Sequence, residues 1–110
     1  MRISYTFRNL ESSEGIKNYA AEKIGKLQKY LHAPLSAEVT LHFERHLHVA
    51  DISVTADGHR YAAREGSEDM YASIDKAMDK IERQVRDAKA TATQRRRHGA
   101  SAAEVAQQGE

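Results

Sequence analysis

Basic side chains recur at helical spacing in the segment from Asp69 to Lys89. Lys76, Lys80 and Arg83 follow one another at positions i, i+4 and i+7. A helix would stack them on one side, where like charges repel by roughly 0.2 to 0.5 kcal/mol per pair. Folding gains nothing from such a row, whereas a polyanion such as RNA offers phosphate oxygens that the row could neutralise. The alternative is a solvated helix face on which the charges sort in this way by chance.

The segment that carries this row is amphipathic. At 100° per residue its apolar side chains gather on one face, with the 3.6-residue period of a helix packed on a core. They are Met70, Ile74, Ala77, Met78, Ile81, Val85 and Ala88. Asp75, Asp79 and Glu82 lie together on the other flank, so the helix separates its charges by sign.

A second predicted helix carries further candidate cations. Ser12 or Ser13 is its expected cap, and Pro34 is expected to end it. Three lysines step along its flank at intervals of three residues, outside its apolar stripe. They are Lys23, Lys26 and Lys29. If the two helices are neighbours, these lysines and the row on the later helix could form one continuous basic groove for phosphates.

Alternation of apolar and polar residues predicts the strands that must support these helices. The pattern runs through residues 2–8, 37–44, 50–54 and 59–65. Asp57 and Gly58 form a strong signal for a two-residue hairpin turn, because both central positions of a type I′ turn need positive φ. The predicted order is βαβββα, an α+β fold. Four strands form one mostly antiparallel sheet, two helices pack on one face, and the other face meets solvent.

Length and composition favour one small soluble domain. The chain has 110 residues and no cysteine, and 17 Lys plus Arg against 16 Asp plus Glu give a net charge of only +1. No apolar run approaches the about 20 residues that span a bilayer, so we expect a cytoplasmic protein without a membrane partner. The net charge alone does not indicate nucleic-acid binding, so any such prediction depends on how the charges are distributed.

The domain is expected to cover residues 1–90. Residues 91–110 lose the apolar period and become rich in Ala, Gln and Ser, so they are interpreted as a frayed helix end and a flexible C-terminal tail. Within the tail, Arg95 to Arg97 form either an electrostatic arm that adds nonspecific affinity or simply a solubilising run.

Other polar clusters give weaker signals. His42, His46, His48 and His59 could suggest a metal site, but no cysteine or clear carboxylate partner accompanies them, so we interpret them as polar residues on the open sheet face. Tyr71 could stack on a base, but it lies about 60° from the centre of the apolar face and is interpreted as a residue at the rim of the core. We find no catalytic motif and expect no enzyme, cofactor or small-molecule substrate.

The segment EDMYASIDKAMDKIERQ resembles the second helix of the ribosome hibernation promoting factors and ribosome-associated translation inhibitors. This family was formerly called sigma-54 modulation protein, and the resemblance is to its short form. The similarity extends more weakly from Met1 to about Lys89. The family has an architecture related to the double-stranded RNA-binding fold, which agrees with the predicted order of elements.

The resemblance implies a function without chemistry. Members of this family bind the small ribosomal subunit, through its 16S ribosomal RNA near the decoding region, and block messenger and transfer RNA under stress or in stationary phase. Carried over by position, the first RNA-binding candidates are Lys80, Arg83 and Lys89. Further candidates are Lys76, Arg86, Lys23, Lys26 and Lys29. Asp87 stands where relatives often carry a basic residue, and Arg86 is expected to compensate for it.

The resemblance also leaves partners and rival functions to consider. A ribosome modulation factor is a further candidate partner, and the protein is expected to be a monomer away from the ribosome. One rival is a general double-stranded RNA-binding module, but that fold places lysines at the start of its last helix, where this chain has Ser67, Glu68 and Asp69. The other is a protein-interaction adaptor of the sigma-factor modulation type.

Overall fold

The computed structural model describes residues 1–98, and for residues 1–90 it also describes the side chains. Its elements are β1 (Arg2–Arg8), α1 (Glu14–Gly25), a short 3₁₀ helix (Lys26–Tyr30), β2 (Ser36–Glu44), β3 (Leu47–Ala56), β4 (His59–Ser67) and α2 (Met70–His98). The predicted βαβββα order is confirmed. Within the described part of the chain, no helix is long and apolar enough to cross a membrane.

The four strands form one sheet in the order β1-β2-β3-β4. β1 runs parallel to β2, and the two later pairs are antiparallel hairpins, so the sheet is mostly antiparallel as predicted. A parallel pair cannot be joined by a tight turn and needs a crossover. The chain between Arg8 and Ser36 supplies that crossover as α1 and the 3₁₀ helix.

The core lies between one face of the sheet and the two helices. From the strands, Val39, Leu41, Ile52 and Val54 contribute side chains that are at most 1% exposed. The helices contribute equally buried residues at the predicted positions. These are Ile24 on α1 and Ile74, Ala77, Ile81 and Val85 on α2. The alternating strand residues and the helical stripes therefore meet as the sequence periods predict.

Side chains fix both helix starts. Ser13 Oγ accepts a hydrogen bond of 3.2 Å from the backbone N–H of Ile16 at the start of α1. Asp69 Oδ1 accepts one of 3.2 Å from the N–H of Tyr71 at the start of α2. The first helix was expected to run up to Pro34, but regular α geometry ends at Gly25 and the 3₁₀ helix ends at Tyr30.

The edge of β4 is covered by a side chain from α2. Gln84 Nε2 donates to the carbonyl of Ala62 at 2.9 Å, and Gln84 Oε1 accepts from the N–H of the same residue at 3.2 Å. The amide thus pairs with an edge strand as a neighbouring strand would, and it blocks that position against another chain. It also ties α2 to the β4 side of the sheet.

Phe43 departs from the predicted core pattern. Its alternation with buried residues of β2 predicts an inward position, yet it is 37% exposed. It is opposite His48 in the register, and the two ring centroids are 5.0 Å apart. Phe43 is the last inward position of β2 before the turn, where packing against the helices is no longer complete.

α2 extends beyond the predicted domain boundary at residue 90. Its backbone is helical through His98, which includes the positions of Arg95 to Arg97. Residues 99–110 lie outside the described part of the chain. The flexibility of the tail and the role of its arginines therefore stay predictions.

Both hairpins turn through two residues with positive φ. At the predicted Asp57-Gly58 turn, φ is 55° and 79°. At the β2–β3 turn the same conformation is adopted by Arg45 and His46, with φ of 53° and 67°. Residues with a side chain pay roughly 1–2 kcal/mol each in this left-handed region, which is why Asn-Gly and Asp-Gly are preferred there.

We predict that the double substitution Arg45→Asn plus His46→Gly raises the free energy of unfolding by about 1 to 2 kcal/mol, because it removes the cost of two left-handed residues with long or bulky side chains. Urea denaturation of both proteins measures the difference. As a control, Gly58→Ala should lower stability by about 1 kcal/mol, because φ is positive there. An unchanged or lower stability of the double variant would contradict the prediction.

Candidate nucleic-acid interface

The orientation of α2 decides which of its charges can meet a ligand. Ile74, Ala77, Ile81 and Val85 point into the core and have no exposed surface. Lys76 and Arg83 lie on the opposite, exposed side of the helix. The acidic flank and the other basic positions fall between these two sides, so their partners come from neighbouring elements.

The acidic flank of α2 faces α1 and the 3₁₀ helix, where it is bound by tyrosines. Tyr19 donates its hydroxyl hydrogen to Asp75 Oδ1 at 2.6 Å, and Tyr30 donates to Glu82 Oε2 at 3.1 Å. Lys23 Nζ lies 3.4 Å from Asp75 Oδ1 and 5.4 Å from the centre of the Tyr19 ring. We call these five residues the helix seam, because they join the two helical segments by polar contacts.

Asp75 shifts the titration of both its partners. Its hydrogen bond, together with burial, raises the pKa of the Tyr19 hydroxyl. The same carboxylate raises the pKa of Lys23 by hydrogen bonding and by charge attraction. Both groups therefore stay protonated, and remain donors to Asp75, to a higher pH than they would without the carboxylate.

The groove between the helices has walls of opposite charge. One wall presents Lys23, Lys26 and Lys29 from α1 and the 3₁₀ helix. The other presents Asp75, Asp79 and Glu82 from α2. The expected continuous basic groove is therefore not formed here, because the apolar face of α2 points into the sheet and turns the acidic flank towards α1. Two basic surfaces remain, with an acidic strip between them.

Lys80 lies on the β4 side of α2. Its ammonium group forms an ion pair with Glu65 of β4, while its side chain stays 57% exposed. The ammonium group can therefore reach a new partner from solvent. Because the Glu65 side chain is only 20% exposed, however, its departure leaves a partly buried carboxylate without its cation.

Lys89 forms an ion pair that stabilises the fold. Its Nζ lies 3.0 Å from Asp57 Oδ2, in the turn between β3 and β4. The same carboxylate accepts hydrogen bonds of 3.0 Å from the N–H groups of His32 and Ala33. The His32 amide, Lys89 and the Ala33 amide together hold the pKa of Asp57 well below its usual range. Lys89 thus joins α2 to the β3–β4 turn and, through Asp57, to the loop that contains His32 and Ala33. Neither contact was predicted from the sequence.

Five predicted cations remain without an ion pair within residues 1–90. They are Lys76, Arg83 and Arg86 on α2, and Lys26 and Lys29 on the 3₁₀ helix. All five are exposed, and Lys29 Nζ lies 5.2 Å from the centre of the Tyr30 ring. Two of the five, Lys76 and Arg83, lie with the paired Lys80 in one row along the exposed side of α2, and we call these three residues the outer row.

Tyr71 is 40% exposed and its ring meets that of Tyr19 edge to face, with 5.0 Å between the ring centroids, which places it at the rim of the core as predicted.

The histidines lie in different surroundings. His42 Nε2 is 2.7 Å from Glu44 Oε1 on the open sheet face. The expectation that the imidazoles share that face is wrong for His48 and His59, which are opposite Phe43 and Ala56 on the helix side of the sheet, and for His46, which lies in the β2–β3 turn. In residues 1–90, no group of three or more His, Cys, Asp or Glu side chains could hold a metal ion.

Neither the tyrosines of the seam nor the partners of Lys89 were predicted from the sequence. A signal existed for the seam, because Tyr19 and Tyr30 flank the apolar stripe of their helix and Asp75 and Glu82 are two turns apart on theirs. No local pattern pointed to the contact between Lys89 and Asp57, which are 32 residues apart.

Comparisons with known proteins agree with this architecture. Residues 3–93 match the sequence model of the family described as Sigma 54 modulation protein / S30EA ribosomal protein. A ribosome hibernation promoting factor from Acidithiobacillus ferridurans is 41% identical over 78 residues, which cover 68% of this chain and 100% of that protein. One from Salmonella typhimurium is 31% identical over 85 residues, covering 77% and 90%. The crystal structure of the Thermus thermophilus Protein Y N-terminal domain superposes with a TM-score of 0.72 at 32% identity, covering 77% of this chain and 96% of that one.

We predict that Asp57→Asn destabilises the protein equally at pH 7 and pH 5, and less at pH 3. The folded-state pKa of Asp57 is lowered, so its contribution is complete above the unfolded pKa of about 4 and is lost as pH falls towards the folded value. Denaturation midpoints of wild type and variant at pH 7, 5 and 3 test this. Lys89→Met removes one of three partners and should show a smaller effect of the same sign. A difference that is constant with pH would contradict the assignment.

We predict that Tyr30→Phe lowers the free energy of unfolding by about 1 kcal/mol, because Glu82 loses its hydrogen-bond donor. A double-mutant cycle with Glu82→Ala isolates this contact, and the Tyr30 substitution should cost less in that background. Equal costs in both backgrounds would show that the hydrogen bond does not stabilise the seam.

Proposed function

This chain belongs to the Sigma 54 modulation protein / S30EA ribosomal protein family, and from that premise we propose that it is a ribosome hibernation factor. In the proposed mechanism it binds the small ribosomal subunit through 16S ribosomal RNA near the decoding region. There it keeps messenger and transfer RNA from binding and so inhibits translation under stress or in stationary phase. A cytoplasmic location and a monomeric state away from the ribosome complete the proposal, and a ribosome modulation factor is a candidate second partner.

The exposed cations on the outward side of α2 are the single observation that carries this proposal. Lys76, Arg83 and Arg86 are exposed and make no ion pair within residues 1–90, although acidic residues occur on the same helix. Two of those acids, Asp75 and Glu82, are engaged in the helix seam. The cations are thus left for a partner, and phosphate oxygens are the matching chemistry.

Binding of this kind works by neutralisation and shape. Each phosphate that meets a Lys or Arg releases condensed counterions, which favours binding most at low salt. The buried face of α2 holds the helix on the sheet, so its cations keep fixed relative positions when they meet RNA. A net charge of only +1 gives little affinity for arbitrary polyanions, so selectivity depends on an RNA surface that fits the outer row.

The predicted RNA-binding residues divide into three groups by their present partners. Lys76, Arg83, Arg86, Lys26 and Lys29 are available without rearrangement. Lys80 and Lys23 have carboxylate partners with 20% and 43% exposed side chains, and we propose that RNA competes with these partners. Lys89 is assigned mainly a structural role, because binding RNA would require it to leave Asp57.

The start of α2 disfavours the general double-stranded RNA-binding module. Glu68 and Asp69 occupy that position, and the Asp69 carboxylate is engaged with the N–H of Tyr71. A helix N-terminus used for phosphate would instead leave its N–H groups free and carry basic neighbours.

The test is cosedimentation with purified ribosomes and with isolated small subunits across a series of KCl concentrations. We predict that Lys76→Ala plus Arg83→Ala weakens binding at every salt concentration. The slope of log affinity against log salt should become shallower by about 1.8, since each lost phosphate contact contributes roughly 0.9.

The matched control is Arg2→Ala plus Arg60→Ala, which removes two positive charges from the open sheet face. It should leave binding and slope nearly unchanged. If both double variants bind like wild type, the outer row is not the interface. If wild type itself fails to sediment with ribosomes, the proposed function is wrong.

A further inference from the structure

The β2–β3 turn combines backbone strain with an exposed basic residue. Arg45 and His46 both have positive φ, whereas the other hairpin places Asp57 and Gly58 in the same conformation. The chain therefore contains the favourable turn sequence at one hairpin and an unfavourable one at the other. Strained residues that persist in a fold are concentrated at functional sites.

The charge of Arg45 has no counterpart nearby in the described part of the chain. Arg45 is exposed and forms no ion pair within residues 1–90. Its neighbour Glu44 is engaged elsewhere, because Arg64 Nη2 lies 3.3 Å and His42 Nε2 lies 2.7 Å from its Oε1 atom. The turn thus presents a guanidinium group to solvent while the adjacent carboxylate is shared between two other side chains.

The turn lies at the end of the sheet where α2 begins. Ser73 Oγ donates a hydrogen bond of 2.6 Å to the carbonyl of His48, which follows the turn by two residues. Lys76 comes three residues after Ser73, a rise of about 4.5 Å along the helix axis. The basic turn therefore lies at the Lys76 end of the outer row, and Lys80 and Arg83 follow further along α2, so that an extended partner lying along the helix can reach the turn.

We infer that the β2–β3 turn is a second RNA contact, in which the Arg45 guanidinium binds a backbone phosphate. This inference rests on the proposed function, because the RNA would be that of the ribosome. The planar guanidinium fork matches two phosphate oxygens and is itself pre-organised, so less entropy is lost for each hydrogen bond that it forms. An uncompensated positive charge favours RNA over a protein surface as the partner of this turn.

Two single substitutions separate the charge from the strain. Arg45→Asn and His46→Gly each replace a residue poorly suited to positive φ with one that tolerates it, so both variants should unfold at higher temperature than wild type. Only Arg45→Asn removes the proposed contact. Cosedimentation with purified ribosomes across a KCl series, at pH 8 where imidazole is neutral, compares both variants with wild type.

We expect Arg45→Asn to weaken binding about tenfold and to make the salt slope shallower by about 0.9, as for one lost phosphate contact. His46→Gly should bind with wild-type affinity and slope. Weaker binding of Arg45→Asn with an unchanged slope would overturn the RNA assignment in favour of a protein contact. Equal binding of all three proteins would overturn the inference and leave the proposed function standing, whereas failure of wild type to bind would remove both.

Discussion

The helix seam is the constraint on which the rest of the surface depends. Burial of the apolar face holds α2 against the sheet, but an apolar stripe tolerates some rotation about the helix axis. Asp75 and Glu82 limit that rotation, because each carboxylate has to reach a tyrosine hydroxyl on the neighbouring helical segment. On the other side of α2, Gln84 pairs with the backbone of Ala62. Contacts on both flanks therefore fix which residues point outwards.

This arrangement explains how a nearly neutral domain can present a basic surface. The chain has 17 basic and 16 acidic residues, so a basic surface forms only where acids are engaged or point elsewhere. The structure engages several of them within the fold, namely Asp75 and Glu82 in the seam, Glu65 with Lys80, and Asp57 with Lys89 and two backbone amides, whereas Asp79 and Asp87 of α2 stay exposed. Acidic side chains thus stabilise the fold, and the cations left over are exposed.

The fold was predictable from the sequence because local periods encode it. Apolar residues such as Val39 and Ile81 belong to patterns that repeat at the spacing of a strand or a helix, and Asp57-Gly58 marks a turn because both residues tolerate positive φ.

The site was only partly predictable. The outer row follows from spacing alone, but the bond between Tyr19 and Asp75 joins residues 56 apart, and no local period specifies such a pair. Which cations are engaged depends on these distant contacts.

For the proposed RNA interface, the partners of the cations also determine how much each cation adds to the affinity. Lys80 has to leave Glu65 before it can meet a phosphate, so that contact gains only the difference between the two attractions. Lys76 and Arg83 gain the full attraction, since no carboxylate has to be displaced. Removal of Lys89 from Asp57 would expose a carboxylate whose pKa is lowered by three partners, and the turn would lose one of them. Affinity for RNA should therefore depend most on Lys76 and Arg83, which have no partner within residues 1–90, and least on Lys89, which is bound to Asp57.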